Sequence, residues 1–467
     1  MAITLNQSSL HQPGLPAAAD EVDPVKKWVI ALFFAALFIP GSINVGIRLD
    51  VYRIYLLAMA APALLQIRND PTLRINAVDV LVFLAVFWRG AALVANHGTS
   101  ELINAGSFFL ELFIGYVVGR AYIRSAADYR WFFTCFLVTL VAFLPFALVE
   151  SVLRIRLLSR IAGLVLTQPP EEFGDQIRFG LMRVEVAFEH ALLFGTFCAI
   201  GFANAFYIWG YRYPRNLIYS GFAGFMTVLA LSSSSMLNVA LQGCLIAYEK
   251  VLRPVRPKWV ILLVSLPLLW FLFQMIVGKN FVDFVADELV INPYVGEGRK
   301  EIFYWGMREA IANPVFGIGK ADWTRPFWRV HPTADNFWVA SAFRYGLPHV
   351  AFLMLAFVVQ IARVSLRGGL DAFEGACRRG FCIALLSLGV GLFNHGLWGV
   401  ANVFVMLYLA SGSWVYDRSA PRSQRRIPSP RPAPRPAPES APVAPPPGPP
   451  VRTAGPSTGP IRPRPRQ

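Results

Sequence analysis

Apolar runs long enough to cross a lipid bilayer recur along this chain, and they leave few folds open. A helix needs about 20 consecutive apolar residues to span the hydrocarbon core. Stretches such as 77–95, 131–150 and 258–277 approach or reach that length. They are continuous rather than alternating, which argues for helices and against the strands of a membrane barrel. Over 467 residues the chain is 55% hydrophobic and only 15% charged, whereas soluble domains carry about a quarter charged residues. The expected fold is all-α: a polytopic transmembrane helical bundle of about twelve spans. These lie near 28–46, 51–67, 77–95, 103–119, 131–150, 185–208, 216–231, 234–249, 258–277, 336–361, 378–394 and 396–416.

Orientation follows from the connectors. Lys26 and Lys27 precede the first run, which places the N-terminus in the cytoplasm. Five even connectors carry Arg68 and Arg74; Arg120, Arg124 and Arg130; Arg212 and Arg215; Lys250, Arg253, Arg256 and Lys258; and Arg363, Arg367, Arg378 and Arg379. Such clusters stay inside, so an even number of spans puts both termini in the cytoplasm. Among the outer connectors two are long, 150–184 and 278–335, the second lying between spans nine and ten. Both are rich in arginine, against the charge rule. Long loops can cross despite charge, yet outer arginines suggest an anionic ligand.

The remaining chain frames this membrane domain, 26–416. Residues 1–25 are polar and Ala/Pro-rich, and are expected to be a disordered cytoplasmic N-terminus with no cleavable signal. Residues 417–467 hold about half the 35 prolines, with arginine, alanine and glycine. They read as a disordered basic tail. That tail supplies roughly eight of the formal +15 charges, so the basic balance does not imply nucleic acid. Cys135, Cys198, Cys244, Cys377 and Cys382 show no metal spacing and read as small buried apolar residues. No P-loop, GxSxG, HExxH or zinc pattern is present, so no cofactor or metal is expected.

Chemistry concentrates in one stretch, Gly298 to Phe357. Arg299–Ala312 reads as an interfacial helix stopped before Pro314. Phe316–Gly319 reads as a flexible turn, and Gly346-Leu-Pro348 as a kink in the tenth span. Asp335 opens that span, and a carboxylate at such a depth is a candidate base or a helix cap. His331, four residues earlier, could do the same work. Arg299 and Arg308 are candidate phosphate clamps, as are Arg178 and Arg183 before the sixth span. Arg344 lies inside the tenth span and needs a partner or a wet cavity. Glu185 and Glu189, i and i+4 at the head of the sixth span, with His190, could pair with these arginines. His97 and His395 read as plain loop residues. Two function classes remain: an enzyme acting on a lipid phosphate at the outer face, or an anion transporter. A transporter is expected to show repeated halves with broken midplane helices. No internal repeat is visible, which favours the enzyme.

Two motifs add a resemblance. Gly298-Arg299, Trp305 and Asn313-Pro-Val-Phe-Gly-Ile-Gly319 form one; Asp335-Asn336, nine residues, then Gly346 form the other. Together with Arg183, Phe188-Glu-His190 and Leu193-Phe-Gly195, they resemble the O-antigen ligase and Wzy-type polysaccharide polymerase superfamily of bacterial inner-membrane glycosyltransferases. The motifs cover roughly 80 residues; elsewhere only topology is similar. Asp335 stands where the ligases have histidine, and the Ser-Arg-Gly motif frequent near spans seven and eight is absent, since Ser235 is followed by Met236. Both departures favour a polymerase of exopolysaccharide or O-antigen over a ligase to lipid A core or protein.

The resemblance implies metal-independent, inverting glycosyl transfer at the outer face of the inner membrane. The donor would be a glycan on undecaprenyl diphosphate. Arg299, with Arg183, Arg178, Arg308 and Arg344, would bind the diphosphate; Asp335 or His331 would take the acceptor's proton. Membrane lipid, a flippase and a chain-length regulator would be its partners.

Overall fold

The computed structural model describes residues 22–44, 46, 48–168, 177–255, 258–278, 293–328, 333–417 and 448. The expectations for the N-terminal segment, the basic tail and His331 fall wholly or largely outside these residues. The chain divides into one unit ending at Ser419 and a second, Ala420–Gln467. The described helices all belong to the first unit.

The apolar runs become helices because a backbone surrounded by lipid must satisfy its hydrogen bonds within its own segment. In chain order these are α1 (Pro24–Phe38), α2 (Val51–Asn69), α3 (Ala77–His97), α4 (Leu102–Phe108), α5 (Gly115–Tyr122), α6 (Ala126–Leu153) and the short α7 (Leu157–Ala162). Then come α8 (Ala191–Ile208), α9 (Arg215–Leu229), α10 (Ser233–Val251), α11 (Lys258–Val277) and α12 (Pro293–Ala312). The last are α13 (Phe337–Tyr345), α14 (Leu347–Leu366), α15 (Ala372–Gly391), α16 (Gly399–Ser411) and α17 (Trp414–Asp417). A π-helical turn at Phe109–Ile114 joins α4 to α5. Among the described residues six helical stretches are long and apolar enough to cross a membrane: 77–97, 99–122, 126–153, 191–208, 347–366 and 399–417. Their outer faces fit lipid. Phe87, Val138, Val141, Leu355 and Val358 are all exposed, a surface water would not tolerate.

Helix α8 is buried almost throughout. Helices α6, α9, α10 and α15 pack around it, while α16 packs on α5 and α14 on α3. Small residues let the backbones approach, as expected where apolar burial cannot drive association. A Cβ on Gly119 would lie 2.5 Å from the Leu407 carbonyl oxygen. Buried polar side chains then tie helices together. Tyr129 donates to Asn204 Oδ1 at 2.5 Å, and Asn204 Nδ2 donates to Tyr408 at 2.9 Å. Arg89, nearly buried, lies between the rings of Phe108 and Tyr345 at 3.7 and 4.4 Å, where the aromatic faces offset its charge.

The structure corrects several boundaries. The first span ends at Phe38, and two short hairpins interrupt the all-helical expectation: β1 (Ser42–Asn44) with β2 (Arg48–Asp50), and β3 (Ile177–Arg178) with β4 (Leu181–Met182). The sixth span begins only at Ala191, so Glu185 and Glu189 are not on a helix. The reason is a contact from the end of α6. Both oxygens of the Glu150 carboxylate accept backbone N–H groups, from Glu185 and Val186, at 3.0 Å each, and His190 caps α8 by accepting from the Leu192 N–H. These bonds hold the segment off the helical path, with Val186 at φ +53°.

The tenth span is broken rather than kinked. Gly346, at φ +86°, separates α13 from α14. The segment Pro314–Gly319 is docked on that break instead of turning freely. Ile318 and Gly319 N–H groups donate to the carbonyls of Phe343 and Arg344 at 2.8 Å, and Leu347 N–H donates to Pro314 O at 2.8 Å. From the other side α3 holds it: Trp88 donates to Val315 O and Asn96 to Phe316 O. His97, far from idle, accepts the Lys320 N–H at 2.7 Å.

Candidate functional site

One end of the bundle gathers the starts of α8, α10, α13 and α16. The start of α13 is fastened there, since Phe337 N–H donates to both Leu392 O and His395 O, at 3.0 and 2.9 Å. Asn336 caps α13, its side chain accepting from Val339 N–H at 3.0 Å. Asp335 is therefore not the cap. Its side chain is exposed and makes no hydrogen bond or ion pair among the described residues.

Arg299 lies in charge reach of Asp335 and of Arg178. It is partly buried, and its Nε has no hydrogen-bond partner among the described residues. Burial pushes its pKa below the ordinary value; Asp335 opposes that, and the second guanidinium of Arg178 adds to it. Arg178 is aimed by a hydrogen bond from Nη1 to Leu231 O at 2.9 Å. Arg183 is buried just before α8. It shares a neighbour with Arg178: both lower the pKa of His190, which burial first and then these arginines and Arg156 pull down to about 4. His190 is thus neutral at pH 7 and adds no charge. Two guanidiniums facing one exposed carboxylate leave an excess of positive charge, which favours a polyanion such as a diphosphate.

Arg308 and Arg344 stand apart from this group. Arg308 is nine residues along α12 from Arg299, on the order of 13 Å and on the opposite face. It is exposed and stacks on Trp305 at 5.5 Å. Arg344, at the far end of α13, donates to Gly319 O at 3.2 Å and stacks on Phe343. Arg344 thus holds the docked segment, and Arg308 stays on its own helix. His331 lies outside the described residues.

His395 is the residue the sequence undervalued. It is fully buried. Its Nε2 is 3.1 Å from Thr196 Oγ1 and its Nδ1 is 2.9 Å from Ser234 Oγ. Thr196 gives its own proton to Leu192 O at 2.9 Å. The tautomer with the hydrogen on Nε2 matches these two hydroxyls, Thr196 then accepting and Ser234 donating to Nδ1. Burial, with Arg299 nearby, lowers its pKa to about 3, so the ring is neutral. Ser233, Ser234 and Ser235 are buried in the first turn of α10. His395 ties α8, α10 and the start of α13 together beneath Arg299.

Glu185 and Glu189 meet the arginines differently from the expected helical pairing. Arg156 Nη2 binds Glu185 Oε2 at 2.9 Å. Burial, opposed by Arg156, raises the Glu185 carboxyl to about 7. Glu189 is raised to about 7 as well, chiefly by the protein enclosing it, although its side chain is open to an internal space. Both carboxyls bind protons more tightly folded than unfolded. Their effect is to make the fold lose stability as pH rises from about 4.5 to 7, and none further above that. In Glu189→Gln one such group no longer titrates. Its Tm in detergent, minus that of the wild type, is expected to rise by a few degrees between pH 5 and 7.5; a constant difference would contradict the assignment.

Comparison of the chain with protein-family models and with curated proteins finds no match. What the site does must follow from its own chemistry.

Proposed function

We propose that this protein is a membrane glycosyltransferase of the polysaccharide polymerase type, joining lipid-linked oligosaccharide repeat units at the outer face of a bacterial inner membrane. The single observation that carries the reading is the partly buried Arg299, with Arg178 and Asp335 in charge reach, at one end of a lipid-facing helical bundle. In this reading the bundle has about twelve spans, both termini are cytoplasmic, and the Arg299 end faces outward. The donor is a glycan on undecaprenyl diphosphate whose prenyl chain stays in lipid. Arg299, Arg178 and Arg183 bind the diphosphate and take up its growing charge as the glycosidic bond breaks. Asp335, exposed and without a hydrogen bond among the described residues, is free to accept the proton of the attacking hydroxyl. The resemblance of the Gly298–Gly319 and Asp335–Gly346 motifs to the ligase and polymerase superfamily supports the same reading.

Deleting the gene in its host and sizing the surface and secreted glycans tests it. The expected result is loss of high-mass polymer, with single repeat units left on lipid or core. Polymer accumulating on its lipid carrier would instead make the protein a ligase to lipid A core or protein. Unchanged glycans would point to an anion or lipid transporter.

A further inference from the structure

A cavity of about 1040 Å³ opens beside the Arg299 group, bounded by the end of α1, β2, α7, the 163–168 segment, residues 185–190 and Trp398. It is at the upper limit of ordinary small-molecule sites, roughly 300–1,000 Å³. Its walls carry Arg48, Arg156 and Arg160 against Asp50, Glu185 and Glu189. Two of these arginines are already matched, Arg48 to Asp50 at 3.4 Å and Arg156 to Glu185 at 2.9 Å. His190 on the wall is neutral. Among the described residues the matched pairs leave Arg160 and Glu189, whose carboxyl is about half protonated near pH 7, so the small positive excess is spread over a wide cavity and suits a diphosphate less well than the Arg299 group does. Nor does it suit a bare hydrocarbon chain, because Arg48, Arg156, Arg160, Asp50, Glu185 and Glu189 stand among apolar lining residues such as Leu37, Leu166 and Phe188.

An uncharged polyhydroxyl ligand fits. Each sugar hydroxyl both donates and accepts, and carboxylates with guanidiniums supply the complementary acceptors and donors. Glu185 Oε1 is buried and has no hydrogen-bond partner among the described residues. Glu189 makes no ion pair among the described residues; its carboxylate lies against Gly399 and Val400 at the start of α16 and lines the cavity from there. Trp398 lines the cavity, is 40% exposed and has its ring centroid 6.0 Å from that of His190; an exposed indole is a ring on which the C–H face of a pyranose can stack. The backbone is held for this purpose. Val186 lines the cavity at φ +53°, a region β-branched residues avoid. The Glu150 carboxylate fixes it there through two N–H bonds. Strain kept in place by such bonds marks functional positions.

We infer that this cavity holds the sugars of the acceptor glycan, with Glu189 and Arg160 binding its hydroxyls and Trp398 stacking on a ring. The inference rests on the polymerase reading and adds a second site to it. His190 is the partition: it lines the cavity and is in charge reach of Arg178 and Arg183. Acceptor sugars on one side and the donor diphosphate on the other would meet at its edge.

The test uses the full-length protein in detergent. Its probe is the water-soluble oligosaccharide that mild acid releases from the host's lipid-linked repeat units, followed by calorimetry. The wild type is expected to bind it. Trp398→Ala and Glu189→Gln are expected to weaken binding roughly tenfold each, the loss of one good contact. Trp398→Tyr, which keeps an aromatic face, is expected to restore most of it. In a transfer assay both weakened variants should raise KM for the acceptor more than they lower kcat. Arg299→Ala should bind the probe as the wild type does, and inorganic pyrophosphate should not displace it. Equal binding in all variants, no binding to the wild type, or displacement by pyrophosphate overturns the assignment. If the cavity variants bind normally while Arg299→Ala loses polymer, the cavity assignment fails and the polymerase reading stands. If binding depends on the cavity while Arg299→Ala makes full-length polymer, the polymerase reading fails, and with it the acceptor role.

Discussion

Arg299→Ala is expected to abolish polymer while the protein remains in the membrane at normal abundance. The size of the effect follows from what the side chain does. A fixed donor aimed at a developing charge is worth about 10²–10³ in rate, and Arg299 faces a second guanidinium that cannot replace its position. The fold should not suffer. The Arg299 side chain is partly buried, with an unpartnered Nε among the described residues, and burial already disfavours its charge. Removing it takes away a desolvation cost rather than a structural bond. Arg299→Lys keeps the charge but loses the planar fork, and is expected to fall between wild type and alanine. Arg308→Ala should lose far less, because Arg308 is exposed and stacked on Trp305 away from the group. Surface glycans on a sizing gel, with membrane abundance by immunoblot, decide the matter. Full-length polymer from Arg299→Ala would sink the diphosphate assignment.

The helices were legible because lipid removes alternatives. An apolar run of sufficient length has little choice but to satisfy its backbone internally, and the helices from α2 to α11, the short α7 and the late start of α8 aside, follow the runs closely. Arg299, Arg178 and Asp335 could be singled out for a related reason: charge beside apolar runs is costly and must be explained. What spacing could not supply was contact across the bundle. Glu150 ends an apolar span and looked like part of its border, yet its partners are 35 and 36 residues away. His395 looked idle because the residues that bind it, Thr196 and Ser234, are on two other helices. Arg308 and Arg344 were grouped with Arg299 because they share a stretch of chain. Helix geometry sends them elsewhere, and only the docked segment shows where. The acceptor cavity draws its walls from α1, β2, α7, the loop before α8 and the turn before α16, so no local pattern announces it.

Gly346→Ala is expected to cost about 3 kcal/mol or more, the sum of a strained dihedral and an overpacked contact. At φ +86° the backbone is in a region that L side chains rarely adopt. An added Cβ would lie 1.9 Å from Val315 O and 2.5 Å from Val315 C, both backbone atoms. No flexible side chain can yield there. Val315 is pinned in turn, its carbonyl accepting from Trp88 Nε1 at 2.9 Å, while Leu347 N–H is bound to Pro314 O. The clash must therefore be relieved by moving α13 or by undocking Pro314–Gly319. Either movement reaches the site. α13 carries Phe337 at its other end, fastened to Leu392 and His395, and Asp335 lies just before its Asn336 cap. The glycine motif thus acts at a distance: it sets the height and direction of the helix that presents Asp335. Gly368→Ala supplies the control, since a Cβ there meets nothing within 4 Å and its loop lies beyond the other end of α14. Thermal unfolding in detergent should show a large drop in Tm for Gly346→Ala and little change for Gly368→Ala. A wild-type Tm for Gly346→Ala would mean that the segment is not docked as described, and that the position of Asp335 is set by the His395 contacts alone.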